Sequence, residues 1–557
     1  MINAHYEALD WLVFGAYALL IALTAWWFNR KKANTSAEYF LGGNAMPTWM
    51  VAVSVLATSQ SAATFIGGPD QGYQGDLSYL ATNIGAFIAA LVVAQVLIPR
   101  FYQYRVYTVY ELLEQQVGPK AKRRAGLMYL FGRVFASGAR LYMAAIAVAM
   151  ILYGNIAPSS VIMATLVLVV IGLAYSIFGG IRTVIYSDVI QCLVYTSAAV
   201  CVIVSLWLAI PADFSTIIEA LQNPGPEQGS KLALFKFDLD FSAAGVFNMA
   251  SVLTGFVLLN IAAFGLDQDM TQRVLTCKDA RSGSRAIMLS IAMVIPVMFL
   301  FIVIGLLLFV FYQRPDIMLG ATEWVAGGAV AGANVGQFQG EKITVFMHYV
   351  LNETPAGVKG LVTIGIIAAA ISTLNSGLSS MASVVVQDIY RPWHEKRQRQ
   401  QGDARKEDHH YVLVGRFAML GVSLALGSMA ILCYFWQQYS QMPLLKFALS
   451  VMVFSYSGLL GVYFTSLFLG RGSEASVLAA LIVGFVATLL MQPYVQAMLL
   501  PSPWQFNLGF TWQLCVGTAL ATLVCALGRK PEAAGQALSA ATNQSTNNPI
   551  NHEVRHG

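Results

Sequence analysis

The chain has 557 residues, 57% of them hydrophobic and only 11% charged, with a mean hydropathy of +0.62. These values exclude an ordinary soluble multidomain protein and indicate a polytopic membrane protein, so length counts spans rather than domains. The net charge of +5 is no nucleic-acid signature, because Lys and Arg gather in short loops such as Arg30-Lys31-Lys32 and Lys120 to Arg124, as on the cytoplasmic side of membrane proteins.

Trp11 to Phe28 forms the first span; Glu7 and Asp10 precede it and Arg30, Lys31 and Lys32 follow, which puts the N-terminus outside. A cleaved signal peptide would need basic residues first and a small-residue cleavage site after, and both are absent. Twelve further spans of bilayer length follow at 46–67, 78–98, 125–153, 158–178, 183–210, 245–266, 286–313, 358–384, 411–436, 446–469, 475–492 and 509–528. Alternation then places the basic clusters 99–124, 273–285, 391–406 and 529–530 inside, and a multi-pass protein of the cell (inner) membrane with a cytoplasmic C-terminus fits best. Five spans from 46 and five from 245 suggest an inverted repeat. The organisation expected is an extra span and cytoplasmic loop (1–45), a five-helix repeat (46–210), an external loop (211–244), a second five-helix repeat (245–469), two C-terminal spans (470–528) and a disordered cytoplasmic tail (529–557). The fold class is thus all-α with about thirteen transmembrane helices.

The second span is apolar up to Ala57, turns polar through Thr58, Ser59, Gln60 and Ser61, and is read as closing on Gly67-Gly68-Pro69. It should unwind at its midpoint and free carbonyls for a cation; the alternative is a tilted helix whose polar end reaches the surface. The seventh span occupies the corresponding place five spans later and runs on into DQDMTQR at Asp267 to Arg273. The ninth, VKGLVTIGIIAAAISTLNSGLSSMASVVVQDIY, carries Ser372, Thr373, Asn375, Ser376, Ser379 and Ser383 between apolar ends without a charge in that polar stretch. Ser372, Ser376, Ser379 and Ser383 share one helical face. Hydroxyl and carbonyl oxygens suit a small hard cation such as Na⁺, although Ser and Thr also bond back to the preceding turn or join helices.

Two charges stand where lipid should be. Asp188 in the sixth span is either an ion ligand or a paired carboxylate. Arg140 suits a substrate carboxylate or a structural acid, with Asp188 the obvious partner. Cys192, Cys201, Cys277, Cys433, Cys515 and Cys525 show no metal or disulfide spacing, and His409-His410 reads as a solvated pair. HExxH, GxSxG and Walker-type loops are absent, which argues against an enzyme and leaves an ion gradient, about 2.3 kcal/mol per charge per 100 mV, as the energy source.

GGIRTVIYSDVIQ, AAAISTLNSGLSSMAS followed by QDIYRP, DQDMTQR and EYFLGGNAMPTW resemble the sodium:solute symporter family, which includes proline, pantothenate, sialic acid and sodium/glucose transporters. The resemblance implies a leucine-transporter-like 5+5 inverted repeat working by alternating access, with Na⁺ as coupling ion, no cofactor, and a small solute, Na⁺ and the bilayer as partners. It maps one Na⁺ onto the carbonyls of Ala57, Gln60 and Ala369 and the hydroxyls of Ser372 and Thr373. A second Na⁺, as in the sialic acid branch, would use Asp188, Asn375 and Ser376, although Asn375 replaces a hydroxyl. Substrate positions of that branch fall on Ser61, Thr64, Asn83 and Arg140, with Asn83 shorter than the expected Gln. The implied solute is an organic anion, sialic acid first; the alternatives are a neutral sugar or a zwitterion such as proline. Family-like domains also serve as sensor halves of histidine kinases, but those chains continue into long soluble domains, whereas this one stops at Gly557.

Overall fold

The computed structural model describes residues 6–28, 35–225, 229–318, 337–338, 341–401, 408–440 and 444–529. The tail from Lys530 onward and Arg30-Lys31-Lys32 lie outside the described residues.

Long apolar runs become helices because, in hydrocarbon, a backbone must satisfy its own hydrogen bonds. The principal helices are α1 (Ala8–Phe28), α2 (Thr48–Ser59), α3 (Ala62–Gln74), α4 (Ser78–Gln103), α5 (Pro119–Tyr153), α6 (Pro158–Ile177), α7 (Gly179–Ala209), α8 (Met249–Leu266), α9 (Gln268–Val274), α10 (Ala280–Gln313), α11 (Val358–Val384), α12 (Asp408–Ser440), α13 (Leu444–Phe468), α14 (Glu474–Leu490) and α15 (Phe510–Ala526). A helix stands at each expected span. By length and apolar composition nine of the described helices can cross a membrane, or up to eleven if two bent pairs each count as one, so thirteen is an upper reading of the pattern.

Several boundaries differ for physical reasons. Gly67-Gly68-Pro69 does not close the second span, since α3 runs through Pro69 to Gln74. Gly68 and Gly72 form a helix crossing instead: a Cβ on Gly68 would meet Phe301 at 2.9 Å, and one on Gly72 would collide with the Ile302 carbonyl. Gly180, at φ 62°, is the corner between α6 and α7, and a Cβ there would strike the Tyr39 carbonyl at 2.6 Å. Regular helix in the seventh span begins at Met249 rather than 245, after a short 3₁₀ turn. Phe214–Gln222 and Val345–Asn352 are helices within the loops between spans.

α11 is the centre of the molecule. It packs along α7, α5, α12 and α1, and nearly every side chain from Val362 to Val384 is buried. Its hydroxyls therefore face protein, whereas on the outer helix α1 Trp11, Leu12, Trp26 and Trp27 are exposed.

Candidate functional site

The second span breaks where its sequence turns polar. Gln60 (φ −90°, ψ 94°) and Ser61 (φ −96°, ψ 176°) are extended, which sets aside the alternative of an unbroken tilted helix whose polar end reaches the surface. The last helical bond runs from the Gln60 N–H to Leu56 (2.9 Å), and the helix restarts where Ser61 accepts from Thr64 (2.9 Å) and Phe65 (3.0 Å). Among the described residues no backbone amide bonds the carbonyls of Ala57 to Gln60, which are left as cation-seeking helix-end groups.

α11 lies directly across this break, with Thr58 Oγ1 3.2 Å from Ser376 Oγ. Ser372 Oγ donates to Asp188 Oδ1 (2.7 Å), and Thr373 Oγ1 donates to the Ala369 carbonyl (3.0 Å). Back-bonding holds for Thr373, Ser376 and Ser380, yet a hydroxyl that donates backward keeps lone pairs for a cation. Ser379 and Ser383 Oγ have no hydrogen-bond partner among the described residues.

Asp188 does not pair with Arg140. Its partner is Arg273, whose Nη2 lies 3.1 Å from Asp188 Oδ2 with both side chains fully buried. Arg273 also donates through Nε to Ser54 Oγ (2.8 Å), through Nη1 to the carbonyl (2.7 Å) and carboxylate (3.2 Å) of Asp269, and through Nη2 to Ser376; Ser54 in turn donates to Asp188. Arg273 is therefore no member of an exposed basic loop. The second broken span places it: α8 ends in a π-helical turn, Asp267 is extended (φ −89°, ψ 117°), and α9 restarts with Asp267 capping Asp269. Arg133 of α5 closes the cluster with Asp267 (2.8 Å) and Asp269, and the Tyr456 hydroxyl donates to Asp267 (2.5 Å). Two guanidiniums thus face three carboxylates in one buried network.

Ser61, Arg140 and Thr373 come together on one small cavity, with Ala62, Ser137, Leu141, Ala370 and Leu374. It offers about 10 Å³ to the centre of a water-sized sphere, room for a water and not for a sugar acid, so this arrangement is closed around the site. Arg140 is 9% exposed; its Nη2 reaches only Met452 Sδ (3.2 Å), a weak acceptor, and its Nη1 has no partner among the described residues. Thr64 is buried a turn further along α3. Asn83 lies off the cavity, its amide donating to the Leu80 carbonyl (2.9 Å) and facing Met298 Sδ (3.1 Å). Asn375 points toward α6, where a Cβ on Gly172 would sit 3.2 Å from its Oδ1, and neither amide atom has a partner among the described residues.

Sequence reasoning missed Arg133, Arg273, Asp267, Asp269, Ser54 and Tyr456 as one network; its signal was the density of charge in DQDMTQR immediately after an apolar span. The histidines also differ from expectation: His409 is exposed, but His410 Nε2 lies 3.0 Å from the Tyr390 hydroxyl and its ring packs 5.1 Å from that of His394.

Known proteins resemble this chain over most of its length. The sodium/glucose cotransporter of Vibrio parahaemolyticus is 25% identical over 93% of this chain and 91% of its own length. The sodium/sialic acid symporter SiaT of Proteus mirabilis is 24% identical over 86% of this chain and 88% of its own. Among solved structures, a Na⁺-coupled sialic acid symporter in a substrate-bound outward-open state superposes with a TM-score of 0.74 at 21% identity, covering 94% of this chain and 98% of that one. A nucleobase-cation-symport-1 family transporter in a closed conformation gives 0.50 at 12% identity over 92% and 96%. These likenesses establish the leucine-transporter-like fold. The pattern of the sodium:solute symporter family matches residues 39–484, most of the chain, and this protein belongs to that family.

Proposed function

We propose that the protein is a Na⁺-coupled symporter that imports a small organic carboxylate by alternating access, with sialic acid as the leading substrate. The observation that carries the solute class is Arg140: an always-charged guanidinium in the membrane interior, without an acid partner among the described residues, beside a cavity lined by the broken helix and α11. A buried charge costs several kcal/mol unless paired, and the planar fork matches a carboxylate in two parallel hydrogen bonds.

Na⁺ would be held by the carbonyls of Ala57, Gln60 and Ala369 and the hydroxyls of Ser372 and Thr373. Every donor is a neutral hard oxygen, and the hydrogen bond from Ser372 to Asp188 fixes that hydroxyl while leaving its lone pairs free for the ion. A second ion at Asp188, Asn375 and Ser376 has less support, because Arg273 already neutralises that carboxylate and Asn375 turns toward α6. Of the substrate positions, Ser61 and Arg140 have the firmer support, Thr64 follows on the same half-helix, and Asn83 would need to turn from Met298. The chain would lie in the inner membrane with its N-terminus outside.

A neutral sugar is the second reading, favoured by the extent of the match to the Vibrio relative. A thermal-shift screen with and without Na⁺ separates them. Carboxylates should stabilise the protein in a Na⁺-dependent way, whereas stabilisation by neutral sugars alone would replace the anion reading.

A further inference from the structure

Asp10, which the sequence offered only as an acid ahead of the first span, is 1% exposed. Its Oδ1 accepts from the backbone N–H groups of Gly357 (2.8 Å) and Gly360 (2.7 Å), and its Oδ2 accepts from the Glu7 N–H (3.1 Å). The first two amides belong to the opening turn of α11. That helix starts on Gly357, at φ 82°, a backbone conformation that favours glycine, and glycine has no side chain with which to cap. A helix leaves its first four N–H groups without intrahelical partners, and its N-terminus carries partial positive charge. A carboxylate from another helix here does what Asp does at an ordinary N-cap. The contact is tight from both sides: a Cβ on Gly360 would meet the Asp10 Cα and Oδ1, each at 2.9 Å, and a Cβ on Gly357 would meet Leu9 at 2.7 Å. One turn further in, the Tyr6 hydroxyl lies 3.1 Å from Thr363 Oγ1.

We propose that α1, which stands outside both five-helix repeats, is a positioning element for the ion site, with Asp10 as the missing N-cap of α11. α11 is continuously helical from Val358 through Ala369, Ser372 and Thr373, so the outer turn that Asp10 holds is rigidly joined to the Na⁺ ligands. Asp10 touches neither ion nor solute. Its loss lets the outer turn of α11 fray and shift, so that more of the Na⁺ binding energy is spent on ordering the helix. This inference rests on the ion site assigned above.

The test measures Na⁺ activation of solute uptake by the full chain in proteoliposomes, together with the Na⁺ dependence of thermal stability in detergent. Asp10→Ala should raise the half-saturating Na⁺ concentration about fivefold, the equilibrium counterpart of losing one N-cap, with the maximal rate at saturating Na⁺ retained. Asp10→Asn keeps an acceptor oxygen and should stay near wild type, whereas Asp10→Leu, which fills the space without an acceptor, should shift as Asp10→Ala does; recovery with Leu would mark a packing role and overturn the capping one. Gly360→Ala, which displaces the carboxylate from the other side, should reproduce the Asp10→Ala shift and covers the case in which Asp10→Ala fails to express. An unchanged Na⁺ response in Asp10→Ala and Gly360→Ala, while Ser372→Ala with Thr373→Ala does change it, would overturn this inference alone. If that Ser/Thr pair also leaves the response unchanged, the ion-site assignment itself falls.

Discussion

Two groups of buried arginine sit near one another in this protein and are treated in opposite ways. Around the second break, Arg273 has all three nitrogens engaged by Asp188, Asp269, Ser54 and Ser376, and Arg133 has both terminal nitrogens on Asp267 and Asp269, with its Nε alone lacking a partner among the described residues. Beside the first break, Arg140 is about as buried but meets only a thioether. The first arrangement holds the halves of the broken helices to α5, α7 and α11; the second leaves a charged fork for something that arrives. Burial of charge by itself thus marks no binding site. What marks one is burial without a partner.

The comparison breaks most visibly at Arg273. Arg273→Leu strands Asp188 in the interior and leaves Asp269 to Arg133 alone, and removing one member of a buried ion pair costs about 3–5 kcal/mol. Thermal denaturation of the purified protein should show that loss whether or not substrate is present. Next in size is Arg140→Lys, which keeps the charge and loses the fork: anion affinity should fall by about 1.5–3 kcal/mol, the worth of a hydrogen bond to a charged group, with thermal stability close to wild type. If Lys is tolerated in transport, Arg140 belongs with the structural arginines and the contrast disappears.

Two further substitutions sharpen the boundary between the regions. Ser372→Ala with Thr373→Ala removes two hydroxyl ligands and should abolish the Na⁺ dependence of uptake while protein still reaches the membrane; retained wild-type activation would misplace the ion. Thr58→Val removes the contact to Ser376 across the break and should cost about 1 kcal/mol, one ordinary hydrogen bond, read as a small rise in half-saturating Na⁺. A large loss of fold there would show that the break is held shut rather than poised.

The legible parts of this architecture were those fixed by local chemistry. Spans follow from the hydrocarbon requirement, and the break at Gln60 and Ser61 follows from consecutive polar residues that a lipid-facing helix would not carry. Gly67-Gly68-Pro69 misled because the same residues mark a helix stop and a close helix crossing; only the presence of Phe301, Ile302 and Gly305 opposite tells them apart. Arg273 was counted with the basic residues that follow it, since nothing local says that it turns inward. Its partner Asp188 lies 85 residues away in the chain, a pairing that belongs to tertiary structure. Asp10 was legible as an acid but not as a cap, because the amides it satisfies begin 347 residues later.

The central claim is that Arg140 selects a carboxylate and that Na⁺ drives its accumulation. It is tested most directly by measuring uptake of a radiolabelled sialic acid and of its methyl ester into proteoliposomes under an imposed inward Na⁺ gradient. The account predicts accumulation of the acid, collapse of that accumulation when Na⁺ is replaced by K⁺, and little uptake of the ester. Equal uptake of acid and ester, or accumulation that persists without Na⁺, would contradict it.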